Sequence, residues 1–169
     1  MQGPEPNVRF CYSPVGIIHS PWSKTAGMPI QPTGAKGIRG TVEIFEEYAE
    51  GLKDIDGFSR VILIYPFHMS SSSYQLVTTP FLDPAPRGVF ATRAPKRPNA
   101  IGLSCVRLIE REGRILSVGD VDILDGTPVL DIKPYVPAFD SYPDASCGWL
   151  ENVSGNAASV RSDDRFRNC

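Results

Sequence analysis

Short apolar stretches separated by proline- and glycine-rich turns constrain this chain more than any other feature. The 169 residues include 16 prolines and 15 glycines, which interrupt helices and favour turns. Between these turns, apolar and polar side chains alternate, as in half-buried strands, or apolar residues run together, as in a central strand. The pattern predicts strands at residues 15–19, 41–45, 59–67, 88–92, 102–111, 115–118, 121–124 and 129–133.

One helix is predicted among these strands. Phe45, Tyr48, Ala49 and Leu52 follow helical spacing, which indicates a short amphipathic helix. Many strands with a single helix do not follow the alternating strand–helix rhythm of a doubly wound sheet. We therefore predict a mainly β fold, a single antiparallel β-barrel domain with one short helix and long Pro/Gly-rich loops.

Composition divides the chain into three parts. Residues 1–13 are polar and contain prolines, which predicts a loose N-terminal arm. Residues 14–150 contain the predicted strands and are expected to form the barrel. Residues 151–169 are polar, small and charged without an apolar period, so we expect an extended or poorly ordered tail unless a partner holds it.

Composition also argues against several protein classes. The hydrophobic content of 41% is ordinary for a globular protein, and no apolar run approaches the roughly 20 residues of a spanning helix. Residues 1–7 lack the basic and apolar regions of a signal peptide, so we expect a cytoplasmic protein with no membrane partner. The formal charge of −2 gives no general attraction to nucleic acid, so any RNA contact requires a local basic patch.

Sequence patterns give no support for metal or nucleotide-fold chemistry. The four cysteines are scattered without a CxxC pair, and His19 and His68 form neither an HxH nor an HExxH pattern. We therefore expect reduced thiols and no metal. The dinucleotide, P-loop and nucleophile-elbow motifs (GxGxxG, GxxxxGK[ST] and GxSxG) are absent as well.

The segment 91–104 is the richest in polar functional groups. Arg93, Lys96 and Arg97 place three cations within five residues, and two prolines stiffen the loop around them. Such a loop can present fixed donors to phosphates or carboxylates at low entropic cost. Asn99 adds a donor and an acceptor suited to a base edge. The alternative is a solvated, charge-rich turn.

A second group of polar residues occupies the segment 122–135. Residues 125–128, with the sequence Asp-Gly-Thr-Pro, form a turn signal. Asp125 either caps this turn or accepts hydrogen bonds from a ligand with ammonium and hydroxyl groups, and local sequence leaves both open. His68 follows the central strand, where a lone histidine is usually structural, and residues 28–32 form a proline-stiffened loop.

Taken together, these segments resemble the TsaA-like family, also called the TrmO-like or YaeB family. The resemblance rests on residues 14–21, 88–93, 97–104 and 125–135, with support from 143–146. It implies a β-barrel, S-adenosylmethionine-dependent tRNA methyltransferase that works as a homodimer. The best understood members methylate N6 of a threonylcarbamoylated adenosine at tRNA position thirty-seven.

The same resemblance implies where the cofactor S-adenosylmethionine binds: the loop at residues 28–32, called the first loop below, the end of the central strand, segment 91–104 and the turn at 122–127. The expected cofactor residues are Pro29, Ile30, Gln31, His68, Met69, Arg93, Leu103, Asp122, Ile123, Leu124, Asp125, Gly126 and Thr127.

Catalytic and RNA-binding roles follow from the chemistry of methyl transfer. The sulfonium is already an activated leaving group, so orientation suffices and no protein nucleophile or metal is required. Either Asp125 or a carboxylate on the modified nucleoside itself is expected to accept the amine proton, with Arg93 and Asn99 in supporting catalytic roles. Arg93, Lys96 and Arg97 are expected to contact RNA. A methyltransferase of another small-molecule or protein substrate, and a non-enzymatic barrel that binds cofactor or RNA, stay open.

Overall fold

The computed structural model describes residues 9–70 and 73–166. The strands in these residues are β1 (Gly16–His19), β2 (Arg39–Ile44), β3 (Arg60–Pro66), β4 (Val77–Thr78), β5 (Arg87–Gly88), β6 (Ile101–Glu112), β7 (Ile115–Gly119), β8 (Thr127–Val129) and β9 (Asp131–Pro134). One α-helix, α1 (Pro137–Asp140), accompanies them. Short 3₁₀ helices span Pro32–Ala35, Glu46–Leu52, Ile55–Gly57, Val89–Ala91, Gly148–Leu150, Ser154–Ala158 and Asp164–Phe166.

Seven strands form one antiparallel sheet in the order β8-β1-β2-β7-β6-β3-β9, and β4 pairs with β5 separately. The two edge strands of the large sheet, β8 and β9, are consecutive in the chain and are joined by Leu130. The N–H of Leu130 donates to the carbonyl of Ile64 in β3 at 2.8 Å, so a single extended segment completes both edges. The sheet is therefore a nearly closed barrel, which confirms the predicted fold class.

Alternating side chains of the strands fill the barrel. Ile18, Val42, Leu63, Val106 and Leu116 are fully buried and belong to one apolar cluster. Each such side chain contributes about 1.5–3 kcal/mol on burial. The apolar positions that predicted the strands from sequence are therefore the positions that form the core.

Two predicted strands are wrong. Residues 88–92 pair only at their start, because Val89–Ala91 turns into a 3₁₀ helix and the hydroxyl of Thr92 donates to the carbonyl of Val89 at 2.9 Å. Residues 121–124 form no strand. Val121 and Ile123 are buried in the apolar core cluster, and this produces the alternation that imitates a strand.

The predicted strand at 129–133 is divided in two, because Leu130 carries the chain from one edge of the sheet to the other. The predicted helix at 45–52 is present, but as the 3₁₀ helix Glu46–Leu52. Leu52 points into the core with 4% of its surface exposed. The apolar periodicity of residues 45–52 therefore identified the buried face of this helix, but it did not distinguish a 3₁₀ helix from an α-helix.

The C-terminal segment is not extended in its described part, contrary to the sequence prediction. Residues 152–166 pack against the loop that follows β1. The N–H of Ser162 donates to the carbonyl of Met28, and the N–H of Gly27 donates to the carbonyl of Ser162, both at 2.8 Å. Ala157 is buried against Gly34. The polar sequence of this segment gave no sign of the packing, because the contacts are made by backbone groups of two segments that are far apart in the chain.

The ends of the chain, residues 1–8 and 167–169, lie outside the described residues, so the predicted N-terminal arm falls largely beyond them. Residues 9–13 form a loop without regular structure. Within 9–70 and 73–166, no helix has the length and apolar character needed to cross a membrane.

Candidate functional site

The candidate residues lie at one end of the barrel, which we call the rim. Because the sheet is antiparallel, the C-terminal ends of β1, β3 and β7 lie at the same end as the N-terminal ends of β6 and β8. The register shows this directly, since Pro66 pairs with Ile101 and Ile18 pairs with Thr127. The chain folds so that segments far apart in sequence all enter or leave the sheet here.

Asp125 caps the turn and is also available at the surface. Its Oδ1 accepts a hydrogen bond from the backbone N–H of Ser20 at 2.9 Å, and Nδ1 of His19 lies 3.9 Å from the same oxygen. The side chain nevertheless remains 49% exposed. The two interpretations that the sequence left open are therefore compatible, because one carboxylate oxygen is anchored while the group still faces solvent.

The other residues of this turn present mainly backbone. Gly126 has a φ of 73° and donates its N–H to the carbonyl of Ile18 at 2.9 Å. Thr127 is buried, and its hydroxyl donates to the carbonyl of Leu124 at 2.6 Å. Ile123 packs in the core, and its carbonyl accepts from Ser20 Oγ at 2.7 Å. The side chains of Ile123 and Thr127 thus shape the turn from inside.

Asp122 is the end of a short chain of buried polar side chains. The hydroxyl of Ser104 donates to Asp122 Oδ1 at 2.7 Å, and the hydroxyl of Tyr65 lies 2.9 Å from Ser104 Oγ. Burial raises the pKa of Asp122 to about 6, against the lowering effects of Ser104 and of the Arg93 charge. Burial also raises the pKa of the Tyr65 phenol.

Ser104 and Tyr65 were not selected from the sequence. Ser104 closes the motif at 97–104, but a serine on a buried strand face gives no signal of function by itself. Tyr65 lies in the central strand, where an aromatic side chain is expected for packing. Their proximity to Asp122 depends on the pairing of β3 with β6 and on the turn after β7, which the sequence did not predict.

Arg93 joins two of the predicted segments. Its Nη1 donates to Gln31 Oε1 at 2.9 Å, so segment 91–104 meets the first loop. Pro29 of that loop is buried and forms an isolated β-bridge with Arg161, and Ile30 is partly buried. The structure therefore brings Gln31 and Arg93 together, and the Arg93 charge opposes the rise in the pKa of Asp122 that burial causes.

The remaining residues of segment 91–104 differ in their surroundings. Arg97 Nη1 donates to the carbonyl of Thr92 at 3.1 Å, so part of this guanidinium holds the loop together. Lys96 is partly buried, and Asn99 is exposed. The Trp149 indole donates to the carbonyl of Ala91 at 2.8 Å, which ties the start of the loop to the C-terminal region.

The residues after the central strand and on β6 add an apolar surface to the rim. Met69 and Leu103 are 61% and 53% exposed. His68 precedes Met69, and partial burial lowers the pKa of its imidazole, which favours the neutral form. These side chains can contact a planar or apolar ligand group, since binding sites commonly combine such surfaces with a few polar groups.

A shallow cavity of about 450 Å³ adjoins the rim on the outer face of the barrel. His19 and Ser20 line one side of it, and Arg39 and Ile109 line another. The predicted cofactor residues are not part of this lining, so the cavity is a neighbour of the site. In the part of the chain that the structure describes, no three His, Cys, Asp or Glu side chains are grouped as a metal site would require.

Comparison with known proteins places this arrangement in a family. Residues 17–141 match the family described as the tRNA-methyltransferase O N-terminal domain. The chain is 56% identical to a probable S-adenosyl-L-methionine-binding protein of Pyrococcus abyssi, over 93% of this chain and 85% of that protein. It is 37% identical to the tRNA (adenine(37)-N6)-methyltransferase of Escherichia coli K12, over 89% of this chain and 68% of that enzyme.

A solved structure agrees with these sequence relationships. The crystal structure of TrmO from Pseudomonas aeruginosa superposes with a TM-score of 0.71 at 40% identity, covering 84% of this chain and 63% of that one. The chain therefore spans less than two thirds of that solved protein. Since the matched family region covers most of the chain and close relatives align over most of it, this protein belongs to the tRNA-methyltransferase O N-terminal domain family.

Proposed function

We propose that this protein is a methyltransferase that uses S-adenosylmethionine to methylate N6 of adenosine at position 37 of a tRNA. The observation that carries the proposal is the 37% identity to the Escherichia coli tRNA (adenine(37)-N6)-methyltransferase over 89% of this chain. The gathering of the turn at 122–127, Arg93 and Gln31 at one rim supports it. The preferred base in this proposal is the threonylcarbamoylated adenosine.

The residues at the rim suit the chemistry of this cofactor. The half-exposed carboxylate of Asp125 can accept hydrogen bonds from hydroxyl or ammonium groups. Exposed Met69 and Leu103 offer apolar surface to an adenine ring. Asp122 adds a second carboxylate whose charge is balanced in part by Arg93. When bound, the cofactor supplies a methyl group on an activated sulfonium leaving group.

The protein's own contribution is orientation and acceptance of a proton. Asn99, exposed at the rim, can hydrogen-bond the base edge and so aim the adenosine amine. In this proposal Asp125 accepts the proton that leaves the amine, and its support is a carboxylate that is anchored through Ser20 and still open to solvent. Arg93 would hold the acidic modification or a phosphate. No step in this scheme needs a covalent intermediate on the protein.

RNA contact is proposed for Arg93, Lys96 and Arg97. Arg97 uses one nitrogen to hold its own loop, which pre-orders the segment, and its guanidinium can also donate to phosphate oxygens. Two prolines limit the loop's conformations, so little entropy is lost on binding. A target base in a single-stranded anticodon loop can be splayed into such a rim more easily than a base in a duplex.

A homodimer in the cytoplasm completes the proposal. The pairing of Val77 with Gly88 and the bond from the Val89 N–H to the Leu76 carbonyl place Leu76 and Val77 next to the start of Val89–Ala91. Leu76, Val77 and Phe90 are 63%, 55% and 76% exposed. Clustered apolar exposure of this kind is a feature of protein interfaces. The cytoplasmic location follows from the proposed tRNA substrate.

The test is methyl transfer with defined tRNA. The purified full chain is incubated with S-adenosylmethionine carrying a labelled methyl group and with two tRNAs, with and without the threonylcarbamoyl modification. Nucleosides from the digested tRNA are then analysed by mass spectrometry. We expect a methyl group on N6 of adenosine 37, with more product from the modified tRNA, and Asp125→Asn and Asn99→Ala should lower kcat.

Calorimetry of the same samples separates the alternatives. If the chain binds the cofactor but transfers no methyl group to either tRNA, the protein is a binding module and not an enzyme. Cofactor binding with label transferred instead to protein or small molecules from a cell extract would indicate another substrate. Product from both tRNAs in equal amount would remove the preference for the modified base while leaving the methyltransferase proposal intact.

A further inference from the structure

A line of three polar side chains runs from the barrel interior to the rim. Tyr65 and Ser104 are 5% and 1% exposed. The Tyr65 hydroxyl lies 2.9 Å from Ser104 Oγ, and Ser104 Oγ donates to Asp122 Oδ1 at 2.7 Å. Tyr65 belongs to β3 and Ser104 to β6, while Asp122 lies in the turn after β7. Three separate segments therefore meet through hydroxyl and carboxylate groups.

The direction of the hydrogen bonds follows from the number of protons. An ionised Asp122 can only accept, so Ser104 gives its single proton to the carboxylate. The remaining contact then requires the Tyr65 phenol to donate to Ser104. Both hydrogen bonds point toward Asp122, and bonds aligned in this way strengthen one another. We call this line of Tyr65, Ser104 and Asp122 the relay. Its hydrogen bonds stabilise the ionised form of the Asp122 carboxyl, whereas burial disfavours that form.

The relay extends beyond Asp122 through charge. The Arg93 guanidinium acts on both Asp122 and Tyr65, and Arg93 Nη1 donates to Gln31 of the first loop at 2.9 Å. The Ser104 hydroxyl contacts Asp122, the Tyr65 phenol lies one hydrogen bond further away, and the Arg93 cation acts on Asp122 through its charge. The buried carboxylate is therefore subject to the charge of the same cation that bonds the first loop.

We propose that Tyr65 and Ser104 are positioning residues, which hold the Asp122 carboxylate in the arrangement that receives the methyl donor. Packing alone does not account for these residues, because Phe and Ala would fill similar space without burying polar groups that cost free energy unless they are paired. The identity of the ligand in this inference rests on the proposed function. The relay itself does not.

The experiment compares Ser104→Ala and Tyr65→Phe with the wild-type chain in two measurements. Asp122 is titrated by carbon-13 NMR of labelled aspartate carboxyl groups, with the resonance assigned by Asp122→Asn. We expect a wild-type midpoint near pH 6, a higher midpoint in Ser104→Ala, and a smaller upward change in Tyr65→Phe. Loss of a hydrogen bond to the charged form raises a carboxyl pKa.

The second measurement is affinity for S-adenosylmethionine by calorimetry at pH 6 and pH 8. Loss of one hydrogen bond predicts roughly a five-fold weaker affinity for Ser104→Ala and a smaller loss for Tyr65→Phe. The loss should be larger at pH 6, because more of Asp122 is then protonated in the variants. Ser117→Ala on the outer face of β7 and Tyr48→Phe, an exposed tyrosine, are the matched controls and should leave both measurements unchanged.

The two measurements fail independently. An unchanged Asp122 midpoint in both relay variants would overturn the positioning role, whatever the affinity for the cofactor. A wild-type chain that binds no S-adenosylmethionine would refute the proposed function, and the titration would still decide whether the relay exists. If Ser104→Ala does not fold, Tyr65→Phe keeps the ring and decides the question through its titration.

Discussion

The ring of Tyr65 lies directly over Gly102 of the neighbouring strand. The two residues are paired in the register of β3 and β6, and a Cβ placed on Gly102 would overlap the Tyr65 ring. The absence of a side chain at residue 102 therefore lets the phenol reach Ser104. One glycine thus controls whether the polar line from the interior to the rim can form.

Gly102→Ala should therefore displace the Tyr65 ring. We expect a loss of about 1–3 kcal/mol in the free energy of unfolding, measured by urea denaturation, because overpacking forces side chains and backbone to shift. Gly51→Ala is the control, since a Cβ there meets no atom within 4 Å. Equal stability of the two alanine variants would contradict the assigned contact.

Replacement of Asp120 tests a second polar cluster, formed with Arg60 and Arg107. Its carboxylate accepts from the Gly37 N–H at 2.9 Å and from Arg107 Nε at 3.2 Å, and Arg60 Nη2 lies at 3.5 Å. Asp120→Ala removes all three interactions and leaves two arginines opposite each other. We expect a loss of about 1–3 kcal/mol in the free energy of unfolding at pH 7.

The pH dependence of this cluster has a definite sign. Burial alone would raise the pKa of Asp120, but the Gly37 N–H and the two guanidinium groups together hold it below the usual value. Its contribution to stability is therefore present above about pH 4 and lost as the pH falls further. Asp120→Asn keeps an acceptor for Gly37 and should lose less stability than Asp120→Ala. The opposite order would argue against the hydrogen bond to Gly37.

Asp122 should produce the opposite pH dependence. Its pKa is raised to about 6 in the folded chain, so between about pH 4 and pH 6 the folded chain retains a proton that the unfolded chain has lost. Its contribution to stability is thus complete below pH 4 and is lost as the pH rises through 6. Thermal unfolding should show that Asp122→Asn gains stability relative to the wild type over this range. A constant difference between the two proteins would contradict the raised pKa.

Ser162 tests whether the C-terminal segment supports the first loop. Its hydroxyl lies within hydrogen-bond distance of two carbonyls, that of Met28 at 3.1 Å and that of Thr25, and shares its one proton between them. Ser162→Ala should increase proteolysis of the loop at 25–31 and weaken S-adenosylmethionine binding several-fold, because Pro29 and Gln31 lose their support. Ser159→Ala is the matched control, since that hydroxyl bonds only locally, to Asn156 at 3.1 Å. Equal effects of the two variants would contradict the role of Ser162 in supporting the first loop.

Lys96 and Arg93 should separate RNA binding from cofactor binding. Lys96→Ala should weaken tRNA binding and reduce the slope of log affinity against log salt by about 1, as expected for one lost phosphate contact. Arg93→Ala should also weaken cofactor binding, because Arg93 holds Gln31 and its charge acts on Asp122. Lys53→Ala, beyond the 3₁₀ helix Glu46–Leu52, is the control. Loss of cofactor binding in Lys96→Ala would contradict the assignment of Lys96 to RNA binding.

The sequence by itself determined the elements whose signals are local. Alternation at Val42 and Ile44 placed β2, the apolar run 61–65 placed β3, and the turn residues around Gly126 placed the bend before β8. These patterns suffice because a strand's two faces follow a period of two residues. The motifs at 97–104 and 125–135 also led to the family, since they preserve chemistry in short continuous segments.

Only the tertiary structure decided which residues meet. Val121 and Ile123 alternate like a strand but pack in the core without pairing, because burial alone produces the same pattern as sheet pairing. The contact of Tyr65 with Ser104 and Asp122 depends on strand register and on a turn at Asp120, where φ is 66°. The backbone hydrogen bonds between Ser162 and the first loop cannot be read from the pattern of polar and apolar residues in the sequence. Such contacts join residues far apart in the chain, and local patterns carry no information about that proximity.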